Sequence, residues 1–123
     1  MEKYQATFGI SCGVSPGYGV KSSDYVTRTE PIEAASAAAA LLGAMHLARE
    51  YAKDYLSNPD DDMTTVRLAS LRNSQGQEES QPELFKMVQV KDRRLTLEEG
   101  NIIYRCSQLE HFLLVAAEQK KGI

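Results

Sequence analysis

Residues 4–12 alternate strictly between apolar side chains and polar or small ones, and this pattern constrains the fold more than any other feature of the chain. Apolar side chains occupy every second position from Tyr4 to Cys12. A period of two is typical of a β-strand whose two faces lie in different environments, because successive side chains point to opposite faces of a sheet. Such a strand needs neighbouring strands and a covering layer, so this region predicts a sheet with one buried face.

A second strand is predicted over residues 24–30, where β-branched and aromatic residues are frequent. The stretch before it, ISCGVSPGYGVKSS at residues 10–23, contains three glycines and a proline. A phosphate-binding loop places its glycines directly before a helix, whereas here a β-rich run separates the glycines from the next helix. We therefore predict that this stretch is the irregular tip of a hairpin between the first two strands.

A long amphipathic helix is predicted to follow the hairpin. Thr29 is a suitable N-cap, and Glu30 and Pro31 suit the first turn of a helix. Because Pro59 marks a stop, the helix is expected to end near Leu56. Apolar side chains recur at helical spacing along one side of the segment, which predicts that the helix covers the sheet. This stripe consists of Ala34, Ala38, Leu41, Met45, Ala48, Ala52 and Tyr55.

The following segments predict two more strands. Residues 64–71, TTVRLASL, form the third strand, and residues 84–91, LFKMVQVK, form the fourth. The polar stretch between them, residues 73–81, is expected to be a flexible connection that lets the two strands pair as a hairpin.

The C-terminal region permits two interpretations. A capping-box pattern and an apolar stripe that persists across Cys106 favour one helix over residues 97–119. The alternative is a strand hairpin within residues 97–106, with a turn at Glu99-Gly100-Asn101 and a shorter helix capped by Ser107. The segment after Ser107 is helical in both interpretations.

Together these elements predict a single α+β domain. At 123 residues the chain has the length of one domain, and its 42% hydrophobic and 25% charged residues are typical of a folded globular protein. The expected architecture is a four-stranded, largely antiparallel sheet with two helices on one face, in the order β-β-α-β-β-α.

Charge and hydropathy restrict the expected partners and location. The formal net charge of −3 gives no overall field that would attract nucleic acid or an anionic membrane. The basic segment Lys91–Arg94 is followed by Glu98 and Glu99, so it is interpreted as a solvated loop, and nucleic acid is not an expected partner. The weakly polar run Ala34–Ala48 is shorter than the roughly 20 residues that cross a bilayer, and the N-terminus lacks the apolar segment of a secretory signal. We expect a cytoplasmic protein with no membrane contact.

No cofactor or metal site is expected from the sequence. Cys12 and Cys106 lie far apart and outside any CxxC spacing, so they are interpreted as reduced core residues. The run Asp60-Asp61-Asp62 clusters three carboxylates, but it lacks the alternating acids, glycine and later glutamate of a calcium loop. This run is therefore expected to be a solvated turn.

One side of the predicted long helix carries small residues. Ala35, Ala39 and Gly43 repeat every four residues, which permits another backbone to approach closely, although Gly43 costs the helix roughly 1 kcal/mol relative to Ala. One hypothesis is that a second copy of the helix packs here across a twofold axis, so that the protein is a homo-oligomer. The alternative is that the sheet of the same molecule occupies this side.

Two classes of function follow from these observations. The first is a non-catalytic binding or regulatory module that self-associates and contacts a protein partner through the sheet or the small-residue side of the helix. It is favoured because the sequence shows no motif typical of an enzyme. The alternative is a small enzyme or small-ligand-binding protein whose site is built from scattered polar residues near the long helix. The candidate residues for such a site are His46, Glu50, Asp24 and Cys106.

Overall fold

The computed structural model describes residues 1–14, 24–55 and 61–107, together with Glu110, Leu113, Ala116 and Ala117. The elements in chain order are β1 (Glu2–Val14), β2 (Asp24–Ala34), α1 (Ala37–Tyr55), β3 (Asp61–Arg72), α2 (Gln81–Val88), β4 (Leu95–Glu98) and β5 (Asn101–Ser107). The strands form one sheet in the order β2-β1-β3-β5-β4, and every neighbouring pair is antiparallel. The predicted α+β class with an antiparallel sheet is confirmed, whereas the sheet has five strands and not four.

The alternating N-terminal run forms β1, which pairs with β2 on one side and with β3 on the other. The β1–β2 register runs from Glu2 opposite Ala34 to Cys12 opposite Asp24, as expected for a hairpin. The predicted tip of this hairpin, residues 15–23, lies outside the described residues. β1 has neighbours on both sides, and its apolar side chains from Tyr4 to Ile10 are buried in the core.

The predicted start of the long helix is wrong. Residues 29–31 belong to β2, and Pro31 is tolerated there because β2 is an edge strand, where a missing N–H removes no ladder hydrogen bond. The helix begins at Ala37 instead. The Oγ of Ser36 accepts a hydrogen bond from the backbone N–H of Ala39 at 3.1 Å, so Ser36 serves as the N-cap that the sequence analysis assigned to Thr29.

The hydrophobic core lies between the sheet and the two helices. The central part of the predicted stripe on α1 is buried, as expected, and it packs on the apolar face of β1, β3 and β5. Phe8 of β1 also meets Tyr51 of α1 in an edge-to-face arrangement with ring centroids 5.2 Å apart. The largest fully buried side chains of this core are Tyr104, Phe8, Ile10, Leu41, Leu71, Val66, Thr64 and Cys106. Ile103 is also fully buried, but it lies on the other face of the sheet, opposite Arg67 and Thr96.

The segment predicted as a fourth strand over residues 84–91 is mostly the short helix α2, so this prediction is wrong. Pro82 occupies the first turn, where its fixed backbone angle suits a helix. Leu84 is buried, and Phe85 and Val88 pack against the core at helical spacing. The helix ends at Gln89, which has a positive φ of 49°. Pro82 is a helix-start signal, whereas the run LFKMVQVK taken alone resembles a strand.

The hairpin interpretation of the C-terminal region is confirmed, and the favoured long helix over residues 97–119 is wrong. Strands β4 and β5 are joined by Glu99 and Gly100, which both have positive φ, 52° and 82°. A two-residue turn with positive φ at both positions matches the twist of antiparallel strands. Beyond β5, the backbone N–H of Glu110 donates to the Oγ of Ser107 at 3.1 Å, and the four described residues from Glu110 to Ala117 are helical, as the alternative predicted.

The side chain of Gln81 joins β3 to β5 where their direct pairing ends. The last residues in register are Arg67 and Ile103. At the next position, the Nε2 of Gln81 donates to the carbonyl oxygen of Leu68 at 2.8 Å, and the Oε1 of Gln81 accepts from the N–H of Ile102 at 2.8 Å. Because Gln81 is only 4% exposed, its amide group replaces a ladder hydrogen bond inside the protein.

Candidate functional site

The sheet has a second face, opposite α1 and α2, on which most of the side chains are polar. We call it the polar face. Its members follow from the register, because directly opposed residues in antiparallel strands project to the same side. Thr7, for example, lies between Thr29 and Ser70, and its hydroxyl is 3.1 Å from that of Thr29. The polar face contains Lys3, Gln5, Thr7, Thr27, Thr29, Glu33, Thr65, Arg67, Ser70, Arg72, Thr96, Glu98, Asn101 and Arg105, together with the apolar Ile103.

At the β4–β5 end of the polar face, the cations are bound to neighbours. Both guanidinium Nη atoms of Arg105 contact the carboxylate of Glu98, with Nη2 at 2.7 Å from Oε2. The hydrogen bonds from Arg105 hold the pKa of Glu98 below its usual value. The Nη1 of Arg67 donates to the Oδ1 of Asn101 at 3.4 Å. This end of the face is therefore satisfied by its own side chains.

At the β1–β3 end, the polar face opens into a cleft of about 320 Å³. We call it the Lys3–Arg72 cleft, and it is lined by Lys3, Gln5, Arg72, Asn73, Ser74 and Gly76. Gln5 and Arg72 are directly opposed residues of β1 and β3. Both Lys3 and Arg72 are exposed, and neither side chain has an ion-pair partner within the described parts of the chain. The cleft thus presents two available cations.

The loop that forms one wall of the cleft is fixed by its own hydrogen bonds. The Oδ1 of Asn73 accepts from the backbone N–H groups of Gln75 and Gln77, both at 3.0 Å. The carboxylate of Glu2 accepts from the N–H of Ser74 at 3.0 Å and from its hydroxyl at 2.8 Å. These bonds from Ser74 lower the pKa of Glu2. The wall is therefore held against β1.

A buried group of titratable side chains lies on the other face of β5. Burial raises the pKa of the Cys106 thiol, and also the pKa of the Tyr104 hydroxyl. The Sγ of Cys106 is 4.0 Å from Oε2 of Glu110. Because the nucleophilic form of cysteine is the thiolate, a thiol with a raised pKa is poorly suited to covalent catalysis.

The structure does not bring the candidate enzyme residues into one site. His46 and Glu50 are exposed on the solvent side of α1, whereas Cys106 is 1% exposed in the core on the other side of that helix. Asp24 is the first residue of β2, and its side chain lies outside the described residues. The enzyme hypothesis gains no support from this arrangement.

The candidate interface residues also occupy different places. Ala35 lies in the bend before α1 and is exposed, as is Ala39 in the first turn. Gly43 is partly buried, and a Cβ atom added there would lie 3.3 Å from the Cγ2 of Ile32. The close approach of β2 therefore accounts for the glycine, as the intramolecular alternative proposed. Next to it, Leu42 is 48% exposed. Self-association through this surface stays a prediction.

Two further sequence features have ordinary structural roles. Asp61 and Asp62 begin β3 and so are not a turn, while Asp60 lies outside the described residues. Among the described residues, no group of three or more His, Cys, Asp or Glu side chains is placed to hold a metal ion. In the basic segment, Arg94 is paired with Asp92 at 2.8 Å, and Arg93 lies 3.8 Å from Glu110.

No local pattern in the sequence indicates the Lys3–Arg72 cleft. Its two cations belong to different strands and are far apart in the chain, and only the order of the strands in the sheet places them together. One signal was available: the positions between the apolar residues of β1 begin with Lys3, Gln5 and Thr7, which indicates a polar second face.

Comparison of the chain with protein-family models, with curated proteins and with solved structures gave no match. Neither α1 nor α2, the two helices with described bounds, is long and apolar enough to cross a membrane.

Proposed function

We propose that this protein is a non-catalytic binding module that contacts a protein partner through the β1–β3 end of its polar face. The observation that carries the proposal is the pair of available cations, Lys3 and Arg72, on an exposed part of a chain whose net charge is −3. Cations that form no ion pair within the described residues are available to orient an oppositely charged partner.

The architecture also supports binding in preference to chemistry. Side chains that project from paired strands are held in position by the sheet, and hydroxyl and amide groups such as those of Thr29, Ser70 and Gln5 suit the polar composition of non-obligate protein interfaces. In contrast, the Cys106 thiol is buried with a raised pKa, and His46 lies on the far side of α1 in solvent.

Site-specific photo-crosslinking in an extract of the source cells tests this proposal. A photoreactive side chain at Thr29, exposed on the polar face, is expected to form a covalent adduct with a protein. The same group at Glu50, on the solvent side of α1, is the control position and is expected to form none. Labelling that is equal at the two positions, or absent from both, would contradict the proposal.

A charge-reversal pair shows whether the adduct depends on the cleft. Lys3→Glu with Arg72→Glu is expected to abolish the adduct at position 29. Lys86→Glu with Lys91→Glu makes the same change in net charge at two exposed lysines of the α2 region, and it is expected to leave the adduct unchanged. An adduct that survives the first pair, or is lost equally with both, would argue against recognition through the polar face.

Self-association is the second proposal, and the exposed Leu42 favours it. Leu42 lies on α1 near the exposed Ala39, so a second copy of the helix that packed on the small residues would also cover Leu42. Light scattering over a range of concentrations is expected to show a mass above that of the monomer. Leu42→Lys is expected to restore the monomer mass, while Met87→Lys, a change at a 67% exposed position of α2, is the matched control. A monomer at all concentrations would refute this proposal.

A further inference from the structure

The side chain of Arg72 differs from the other arginines that the structure describes. Arg93 and Arg94 each contact a carboxylate, and so does Arg105. The guanidinium of Arg72 has no hydrogen-bond or ion-pair partner among the described residues, although its backbone is held by a β-bridge to Glu78. A guanidinium on a fixed backbone can bind a carboxylate through two parallel hydrogen bonds.

The side chains that line the cleft around Arg72 are of two kinds: some are already hydrogen-bonded within the protein, and others are available to a ligand. Asn73 and Ser74 form the wall and are engaged with Gln77 and Glu2. Lys3 and Gln5 line the opposite side, and no hydrogen bond of either side chain is found within the described residues. The available donors therefore face the cleft from a rigid frame, which lowers the entropic cost of binding.

The charges around the cleft favour single carboxylates over a polyanion. Glu33 is directly opposite Lys3 in the β1–β2 register, and the carboxylate of Glu2 lies at the loop. Glu78 is also opposite Arg72 in a β-bridge. These acids would repel the successive charges of a polyanion, whereas a single carboxylate needs only the two cations. A cleft of about 320 Å³ is at the small end of ligand pockets, and so it suits one or two side chains.

From this geometry we infer that the Lys3–Arg72 cleft binds a carboxylate side chain of an acidic peptide segment in the partner. The ammonium of Lys3 and the guanidinium of Arg72 hold the carboxylate, and the amide of Gln5 donates to the peptide beside it. This inference rests on the proposed function, because it assigns the chemistry by which the partner is recognised.

Titration of the full chain with a fluorescein-labelled hexapeptide that carries one glutamate among glycines and serines, followed by anisotropy, tests the inference. Wild-type protein is expected to bind, and higher salt is expected to weaken the binding. Arg72→Gln with Lys3→Gln is expected to raise the Kd by at least about tenfold, since each lost charge-assisted hydrogen bond is worth about that much. Lys86→Gln with Lys91→Gln removes the same charge elsewhere and is expected to change the Kd less than about twofold.

Two further measurements keep the test decisive. In wild-type protein, the side-chain amide signal of Gln5 in a nitrogen–proton NMR spectrum is expected to shift with added peptide, while that of the exposed Gln89 is not. A fluorescein-labelled hexathymidylate of similar length, which carries a row of phosphates, is expected to bind more weakly than the peptide. Tighter binding of the oligonucleotide, a shift at Gln89 alone, or equal loss in both double variants would overturn the inference. If the peptide fails to bind while the crosslink at Thr29 persists, the carboxylate subsite is refuted and the binding module is not.

Discussion

The two ends of the polar face use their cations in different ways. At the β4–β5 end, Arg105 contacts both carboxylate oxygens of Glu98, and Arg67 contacts Asn101. At the β1–β3 end, Arg72 and Lys3 line an open cleft with no partner among the described residues. The same residue type therefore stabilises a hairpin at one end and is available to another molecule at the other.

This difference shows that the number of charges on a surface says little about its function. What matters is whether each charge is already paired within the fold, because a guanidinium that is paired with a carboxylate gains less from a second anion than one with no ion-pair partner. The β4–β5 end is short and has few ladder bonds of its own, so side-chain contacts across the hairpin are useful there. The β1–β3 end has long ladders and needs no such support.

The largest expected effect on stability is at Gln81. This residue lies between the two ends of the sheet, at the point where the direct pairing of β3 with β5 stops. Gln81→Ala would leave the carbonyl of Leu68 and the N–H of Ile102 with fewer partners inside the protein. We expect a loss of about 3 kcal/mol in the free energy of unfolding, because buried polar groups without partners cost about 1–3 kcal/mol each. Urea denaturation measures it. Gln75→Ala, in the exposed loop, is the control and is expected to change little.

Asn101 provides the check on that interpretation. Its Nδ2 also donates to the carbonyl of Leu68, at 3.1 Å, so it partly satisfies that group when Gln81 is removed. Gln81→Ala with Asn101→Ala is therefore expected to lose more than the sum of the two single changes. Strict additivity would show that the two amides act independently and that Gln81 is not the junction described here.

The fold was predictable from sequence where one local signal agreed with its environment. The alternating pattern of residues 4–12 predicted β1 correctly, because β1 lies between two strands and has one face in the core and one polar face. The start of α1 was mispredicted because Thr29-Glu30-Pro31 is a good local helix start, and only the position of β2 at the sheet edge makes Pro31 acceptable in a strand. Local propensity cannot report which strand is at an edge.

The candidate site was less predictable, since it depends on strand order. Ser107 as a helix cap and the turn at Glu99-Gly100 were readable because each involves residues close in the chain. Gln5 pairs with Arg72, which is far from it in the chain, and no local sequence pattern encodes this pairing. For Gly43 the sequence left two explanations open, a second copy of the helix or the sheet of the same molecule, and the structure shows that Ile32 of β2 lies close to it.

An intermediate effect on stability is expected from substitution of Asp92, in the loop that precedes β4. Although partial burial would raise its pKa, hydrogen bonds from the side chain and backbone of Arg94 lower the pKa of Asp92 below its ordinary value. Asp92→Asn is expected to lose about 1 kcal/mol at pH 7, the usual contribution of such a hydrogen-bonded pair. Glu50→Gln, at an exposed carboxylate of α1, is the control.

The pH dependence of this pair has a definite sign. A carboxylate whose pKa is lower in the folded state stabilises the protein above its unfolded pKa, and the contribution is lost as the pH falls through the folded pKa. The difference in urea midpoint between wild type and Asp92→Asn is therefore expected to be full at pH 7 and to shrink below pH ~4. A difference that stayed constant down to pH 2 would show that packing, and not charge, accounts for the effect.

The smallest expected effects on stability come from substitution of the arginines at the two ends of the polar face, and the difference between them distinguishes the two ends. Arg105→Gln is expected to lower the urea midpoint slightly, by less than Asp92→Asn does, because both members of its pair are about 40% exposed. Arg72→Gln is expected to stay within about 0.5 kcal/mol of wild type, as for surface changes that break no contact. If Arg72→Gln destabilised the protein as much as Arg105→Gln does, its guanidinium would have a structural partner. The cleft would then lose the available cation on which carboxylate binding depends, so this modest stability measurement bears directly on the proposed recognition.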